Sequence, residues 1–363
     1  MRRLIILTDE DSEFWVSKPD RKNFVSMDLS KLTNYFVSFK YDVKIMKFSE
    51  LNLNKNYFGT YVIYQSNEAE GSFYKRYIED LVFFLEKQGA VVLPGHELLK
   101  AHHNKVYMEM MRSKFKDNSL KTVTSKCYGS WVDAKNYDSH FPVVIKRIST
   151  TAGEGVYLAH NRQEYLKKTK KAGRVIVAMS AMNYAIVSAK NVVKKILKFI
   201  SPHISRYVRY NTTPISSPII VQNYIDGLSG DFKVLIFGGK YYTMYRKNRN
   251  NDFRASGSGK FSEVHEDLLE GLLNFARKIT LEIDFPIFGI DIGFDGKSYH
   301  LLEFQTIYLG TSALQRAKYW HEVHDEKWCK YVGESNLEEE FSRAINHHIM
   351  KYEGKTEGRY IIK

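Results

Sequence analysis

The dipeptide Asp295-Gly296, set between the apolar-rich runs 289–294 and 299–304, constrains this chain more than any other short stretch. Asp-Gly suits the left-handed backbone of a tight hairpin turn, so the two runs pair antiparallel. That pairing sets Asp291 on one strand and Glu303 on the other. The period-two alternation of a strand sends Gln305 to the same face as Glu303. Two carboxylates and an amide then converge, a hard-oxygen set suited to Mg²⁺ bridging phosphates. The neighbours Ile290, Ile292, Leu301, Leu302 and Phe304 are apolar, which implies partial burial, where an unpaired carboxylate is costly. An exposed strand face with solvated acids is the alternative, and the sequence leaves both open.

Other β-rich runs at 3–8, 42–48, 60–65 and 90–93 are separated by amphipathic stretches such as 73–87, whose apolar positions include Tyr77, Leu81, Phe84 and Leu85. The alternation predicts a parallel α/β domain over residues 1–103. Its glycines, Gly59, Gly71, Gly89 and Gly95, are too scattered for a dinucleotide-binding nest. A helix is expected over 104–116, then a strand over 142–147. Further strands are expected at 219–224, 232–237 and 241–246, the last two joined by a Gly238-Gly239 turn. Residues 265–282 read as a helix with Leu268, Leu272, Phe275, Ala276 and Ile279 on one face.

Two further clusters carry chemistry. The loop 149–156, with Gly153, Glu154 and Gly155, follows the strand that bears Lys146. Small residues let backbone N–H groups approach phosphate oxygens, and a lysine adds a point charge. Asp231, Lys233, Arg246, Arg249 and Arg254 crowd the hairpin and the loop after it, and arginine forks fit phosphate or carboxylate oxygens. Several other patterns fail. Gly257-Ser258-Gly259-Lys260 lacks the glycine and the hydroxyl residue of a P-loop, and His321-Glu322-Val323-His324 misses metalloprotease spacing.

The charge balance is 54 − 41 = +13, which speaks for anionic partners. Much of the excess lies in 161–210, where twelve basic side chains face the single acid Glu164. Cys127 and Cys329 are far apart, so neither a disulfide scaffold nor a cysteine-rich zinc site is expected, and a reducing, cytoplasmic setting is. The apolar run Leu4-Ile5-Ile6-Leu7 is too short for a signal-peptide core, and no stretch of about 18 apolar residues marks a membrane span.

The order of these pieces carries a resemblance. Asn104-Lys105, the strand to Lys146, Gly153-Glu154-Gly155, Val221 to Ile225, Asp231-Phe232-Lys233, Arg246, Asp252-Phe253-Arg254, Gly289-Ile290-Asp291 and Glu303-Phe304-Gln305 together resemble the ATP-grasp superfamily. The pattern is most similar to carboxylate–amine ligases of the amino-acid-adding ribosomal-modification and glutathione synthetase type. The resemblance covers about 104–315. It implies an α/β chain with a preceding domain at 1–103, a central subdomain at 104–221 with a basic insertion near 175–215, a catalytic subdomain at 222–330 and a helical tail at 331–363.

It also implies roles. Lys105 and Lys146 contact ATP phosphates under the Gly153–Gly155 loop; Gln222, Asn223, Tyr224 and Ile225 form the hinge that reads adenine; Asp231 lies near the ribose. Arg246 stabilises the transferred γ-phosphoryl group, Lys233 and Arg254 count with it as catalytic residues, and Asp291, Glu303 and Gln305 hold Mg²⁺. The family usually has asparagine where Gln305 stands, and relatives often carry asparagine where this chain has Ser256. The implied reaction joins a carboxylate to an amine through an acyl phosphate. A phosphotransferase on the same scaffold, or a non-catalytic basic module for nucleic acid or membrane, is the alternative. Retention of both lysines, the arginine and both acids speaks against a mere module, so nucleic acid is not an expected partner.

The substrates stay unnamed by the sequence, and a homo-oligomer is left open. Apolar and cationic residues interleave over 192–208, where Lys194, Lys195, Lys198 and Arg206 suit either a helix packed on the body or one docked on an anionic membrane or acidic glycan.

Overall fold

The computed structural model describes residues 1–16, 25–66, 72–137, 140–149, 153–174 and 216–354 of the chain. They form two compact units, Met1–Val123 with Ile225–Lys363, and Thr124–Tyr224. The basic stretch expected at 192–208 lies outside the described residues.

The first unit opens with a parallel sheet. Strand β1 (Arg2–Thr8) lies between β2 (Tyr41–Lys47) and β3 (Tyr61–Tyr64), and β4 (Val91–Leu93) borders β3. Parallel neighbours need crossovers, supplied by helices α1 (Leu29–Ser38) and α2 (Ser72–Lys87). Alternation along β1 explains the layering. Leu4 and Ile6 enter one core while Ile5 and Leu7 enter another, where Ile78, Val82 and Leu85 of α2 meet them. Each such side chain contributes about 1.5–3 kcal/mol on burial. Asp28 caps α1 by accepting the Lys31 N–H at 3.0 Å. Helices α3 (His96–Ala101) and α4 (Lys105–Ser113) follow, and the Asn104 side chain caps α4 by accepting the Tyr107 N–H at 3.1 Å.

In the second unit, β5 (Ser125–Tyr128), β6 (Val143–Arg147), β7 (Val156–Ala159) and β8 (Ile219–Asn223) make an antiparallel sheet in the order β5-β8-β6-β7. Helix α5 (Arg162–Gly173) packs on it through Tyr165 and Ala172, which share a core with Val143, Ile145, Ile219 and Val221. Its lysines Lys167, Lys170 and Lys171 stay exposed.

The chain returns to the first unit with β9 (Gly230–Phe237), β10 (Lys240–Lys247), α6 (Glu266–Glu282), β11 (Ile287–Phe294), β12 (Tyr299–Gln305), α7 (Ser312–Arg316), β13 (Tyr319–His324), β14 (Lys327–Val332) and α8 (Leu337–Tyr352). The strands form an antiparallel sheet in the order β12-β11-β9-β10-β13-β14, with the short strand Phe261–Ser262 beside β10. The Gly238-Gly239 turn joins β9 to β10 as expected. Gly238 has φ 55°, and a Cβ there would lie 2.9 Å from the Ala344 Cα of α8. Only glycine allows this approach.

Helix α8 ties the unit together. Buried Glu340 accepts from Lys240 at 2.6 Å and from Arg343 at 2.8 Å, and Glu338 accepts the Asp28 N–H at 3.1 Å. Tyr41 donates to Asn346 at 3.0 Å, and Arg2 meets Glu353 at 2.8 Å. No helix among the described residues is long and apolar enough to cross a membrane.

Burial also sets an acid limit on stability. His321 on β13 is 3% exposed and its Nδ1 has no hydrogen-bond partner; burial, with Lys330 adding to it, lowers its pKa to about 4. Burial lowers His347 and His348 as well. An unfolded imidazole takes up its proton near the usual 6.5, so unfolding absorbs protons in this window. Stability is therefore expected to fall as pH drops from about 6.5 to about 4. His321→Gln should shallow that slope in urea denaturation measured across the same pH range.

Candidate active site

A row of charged side chains crosses the sheet of the first unit. Strand register places Asp231 of β9 opposite Arg246 of β10, Lys233 of β9 opposite Asp291 of β11, and Asp291 opposite Glu303 of β12. Directly opposed residues share a face, so four strands contribute to one line of charge. Arg246 donates to Asp231 from Nε at 2.6 Å and from Nη2 at 2.8 Å, and Nη2 also lies 2.8 Å from Asp291 Oδ2. Lys233 Nζ lies 3.1 Å from Asp291 Oδ1. Two cations and two carboxylates thus balance in a largely buried cluster.

Glycine on β11 makes room for it. A Cβ at Gly289 would meet Lys233 Nζ at 3.4 Å and Leu235 Cδ2 at 3.0 Å.

The electrostatics follow from this packing. Burial pushes Asp231 up to about 6, against the pull of Arg246 and with the neighbouring charge of Asp291 adding to the rise. Burial acts on Asp291 in the same sense, but Arg246 and Lys233 outweigh it and hold that carboxyl well below the usual range. The two carboxylates raise Arg246 despite its burial, so its charge is permanent.

The row continues beyond β11. Lys105, the first residue of α4, is 6% exposed and its Nζ lies 3.2 Å from Glu303 Oε1. Gln305 donates its amide N–H to the Tyr308 carbonyl at 3.1 Å, which leaves Oε1 as its acceptor end. The facing of these residues depends on an irregularity. Ile292 pairs with Leu301 but Asp291 pairs with Glu303, so Leu302 is an extra residue, a β-bulge. Past the bulge the phase reverses. Leu301 and Phe304 enter the core while Glu303 and Gln305 join the face of Asp291.

The other expected residues have these places. Arg254 is held by Asp252 at 2.5 Å within the loop after β10, and Arg249 donates to the Ser256 carbonyl at 2.6 Å. In the second unit, Lys146 lies half-buried on β6, and Gly153 and Gly155 have left-handed φ of 74° and 65° with Glu154 exposed between them. Gln222 is buried on β8, Asn223 accepts the Thr124 N–H at 2.7 Å, and Tyr224 and Ile225 follow where the chain leaves that unit. The first unit therefore gathers Lys105, Asp231, Lys233, Arg246, Asp291, Glu303 and Gln305.

Sequence reasoning missed the Lys105–Glu303 pair and two buried residues behind it, Glu109 and Arg112 of α4. Their signal was present as charged residues at i, i+4 and i+7 of an expected helix.

The donor set fits Mg²⁺. Asp291 Oδ1 is buried against the Lys233 ammonium without a hydrogen bond, and Glu303 and Gln305 supply further hard oxygens on the same face. No group of three or more His, Cys, Asp or Glu side chains placed to hold a metal ion by themselves occurs among the described residues. Mg²⁺ commonly takes only one or two carboxylates, with phosphate oxygens and waters completing its shell.

No family model and no curated protein matches the sequence. Solved structures do. N5-carboxyaminoimidazole ribonucleotide synthetase in its ADP complex aligns with a TM-score of 0.54 at 9% identity, over 95% of this chain and 77% of that one. The chain shares the fold of that synthetase, as the ATP-grasp resemblance implied. A RimK-domain ATP-grasp protein from Sphaerobacter thermophilus aligns at TM-score 0.44 and 10% identity, over 85% of this chain and 92% of that one. D-alanine–D-alanine ligase from Bacillus anthracis, complexed with ATP, aligns at TM-score 0.47 and 11% identity, over 98% and 100%.

Within this sheet the charge balance also bears on stability. Arg246→Met leaves Asp231 and Asp291 buried with Lys233 as the remaining cation of the cluster. Truncating one partner of a buried ion pair costs about 3–5 kcal/mol, and urea unfolding at pH 7 should show a loss of that order.

Proposed function

We propose that the chain is an ATP-dependent ligase that activates a substrate carboxylate as an acyl phosphate and joins it to an amine. One observation carries the reading: Arg246, Lys233, Asp291, Glu303 and Lys105 form a continuous line of pre-paired charge on one sheet face of an ATP-grasp fold. Phosphoryl transfer needs little covalent chemistry from a protein. It needs positioned cations and a metal site where charge spreads in the transition state.

In this reading a carboxylate oxygen of the substrate attacks the γ-phosphorus of ATP, an O–P bond forms, and ADP leaves. The amine nitrogen then attacks the acyl carbon, a C–N bond forms, phosphate leaves and the nitrogen gives up its proton. Asp291, Glu303 and the Gln305 oxygen would hold Mg²⁺, which would supply positive charge against the phosphates. Arg246 is fixed through Nε and Nη2, so its Nη1 donors serve the transferred group with little reorganisation. Asp231 acts through Arg246 by holding that fork. Lys105 binds phosphate in the first unit, and Lys146 binds phosphate beside the Gly153–Gly155 loop in the second. Gln222 to Ile225 read the base, and Lys233 and Arg254 take the anionic substrate.

The net charge of +13 supports an acidic partner, and we place the carboxylate on an acidic glycan or amino-acid conjugate at an anionic membrane surface. Sedimentation with anionic vesicles across a salt series checks that placement. Binding should weaken when Lys194, Lys195 and Lys198 become glutamine, and binding indifferent to lipid charge overturns it.

The reaction itself is checked by ADP release against carboxylate and amine libraries, with mass spectrometry of products. Lys146→Met should weaken ATP affinity about tenfold or more, while Arg246→Lys, which keeps the charge but loses the fork, should lower kcat more than affinity. Small and equal effects on both parameters, or phosphate retained on the product, would count against ligation.

A further inference from the structure

Three charged residues of α4 lie on one helical face: Lys105, Glu109 and Arg112, 6%, 5% and 4% exposed. Lys105 reaches Glu303 on β12. Seven residues on, Arg112 donates from Nη1 to the Leu301 carbonyl of the same strand at 2.9 Å, and its Nη2 is held by the Glu109 carboxylate. The helix is thus fastened along the edge strand at two points, on either side of Leu302.

Leu302 is the bulge residue, and the bulge decides where Glu303 faces. From the hairpin turn, Phe294 pairs with Tyr299, Gly293 with His300 and Ile292 with Leu301. Continued without a shift, that register would pair Asp291 with Leu302 and turn Glu303 and Gln305 into the core beside Leu301. The inserted residue prevents this. A bulge on an edge strand has a neighbouring strand on one side alone to hold it, so its phase needs another fastening. A buried guanidinium gripping the carbonyl just before the extra residue supplies it. Burying an ion pair of this kind is expensive, and packed apolar residues would serve stability as well. Its directed N–H bond to Leu301 is what an apolar side chain lacks.

We propose that Arg112, oriented by Glu109, is a positioning residue that holds the Leu302 bulge in the phase that sets Glu303 opposite Asp291. The inference rests on the proposed function for the metal-binding role of Glu303. Arg112 touches neither nucleotide nor metal in this scheme. It acts through the strand.

The test is a mutant cycle read by metal binding. Mn²⁺, as a probe for Mg²⁺, is titrated by electron paramagnetic resonance into the full chain with a non-hydrolysable ATP analogue. The proteins are wild type, Arg112→Met, Glu303→Gln and the double variant. Removing outer support of a metal ligand typically weakens affinity about 10–100-fold. Arg112→Met should therefore weaken Mn²⁺ binding about tenfold in the parent and add little once Glu303 is glutamine.

An equal loss in both backgrounds, or no loss in either, overturns the proposal. If Arg112→Met does not fold, Arg112→Lys, which keeps a cation beside Glu109 but loses the fork, runs the same cycle under the same criteria. Failure of the functional reading looks different: Glu303→Gln would then leave Mn²⁺ affinity at the parental value.

Discussion

The buried exchange of charge among Asp231, Arg246, Asp291 and Lys233 is the interaction on which the rest of this sheet is arranged. Each member alone would be expensive to keep away from water. Together they are neutral, and the paired cations hold the Asp291 carboxyl well below the usual carboxylate range. The arrangement needs three strands in one register, since the cations and acids come from β10, β9 and β11. A one-residue slip would turn the acids into the core and the aliphatic residues out, so the same register that packs Val234, Ile290 and Ile292 also assembles the site.

The fourth strand joins the line on other terms. Regular pairing from the Asp295-Gly296 turn carries β12 with β11 only as far as Leu301, and Glu303 reaches the face of Asp291 because one residue is left out of the ladder. Local twist and a changed phase are what bulges provide, and they recur next to active sites for that reason. Here the change of phase also keeps a hydrophobic ladder intact. Phe304 takes the core position that strict alternation would have given to Glu303.

Much of this was legible in the sequence, for physical reasons that differ by element. Alternation and turn residues located β1, β9, β10, β11 and β12 to within a residue or two, since Asp-Gly and Gly-Gly admit few other conformations. Periodicity located α2 and α6. The expected helix over 104–116 ends at Ser113, because Lys114 already departs as the cap and Phe115 turns into the core. The convergence of Asp291, Glu303 and Gln305 was expected from pairing and period two. The bulge that achieves it was not, since Leu301-Leu302 offers two apolar residues and nothing local says which one faces inward. Strand order was equally out of reach, because β9 inserts between β10 and β11 through contacts distant in sequence. The cation partners of the acids followed from that order.

The fastening of α8 to the opening sheet bears on how the protein is made. Arg2 meets Glu353 across 351 positions of sequence, and Asp28 meets Glu338 across 310. During synthesis at about 5–20 residues per second, Arg2 and Asp28 emerge long before Glu353 and Glu338 exist. The first unit cannot close until nearly the whole chain has left the ribosome, whereas the strands of the second unit find one another within a span of about 100 residues. The first residues made are thus among the last to gain all their contacts. The strands of the second unit are all made while the first unit still awaits α8.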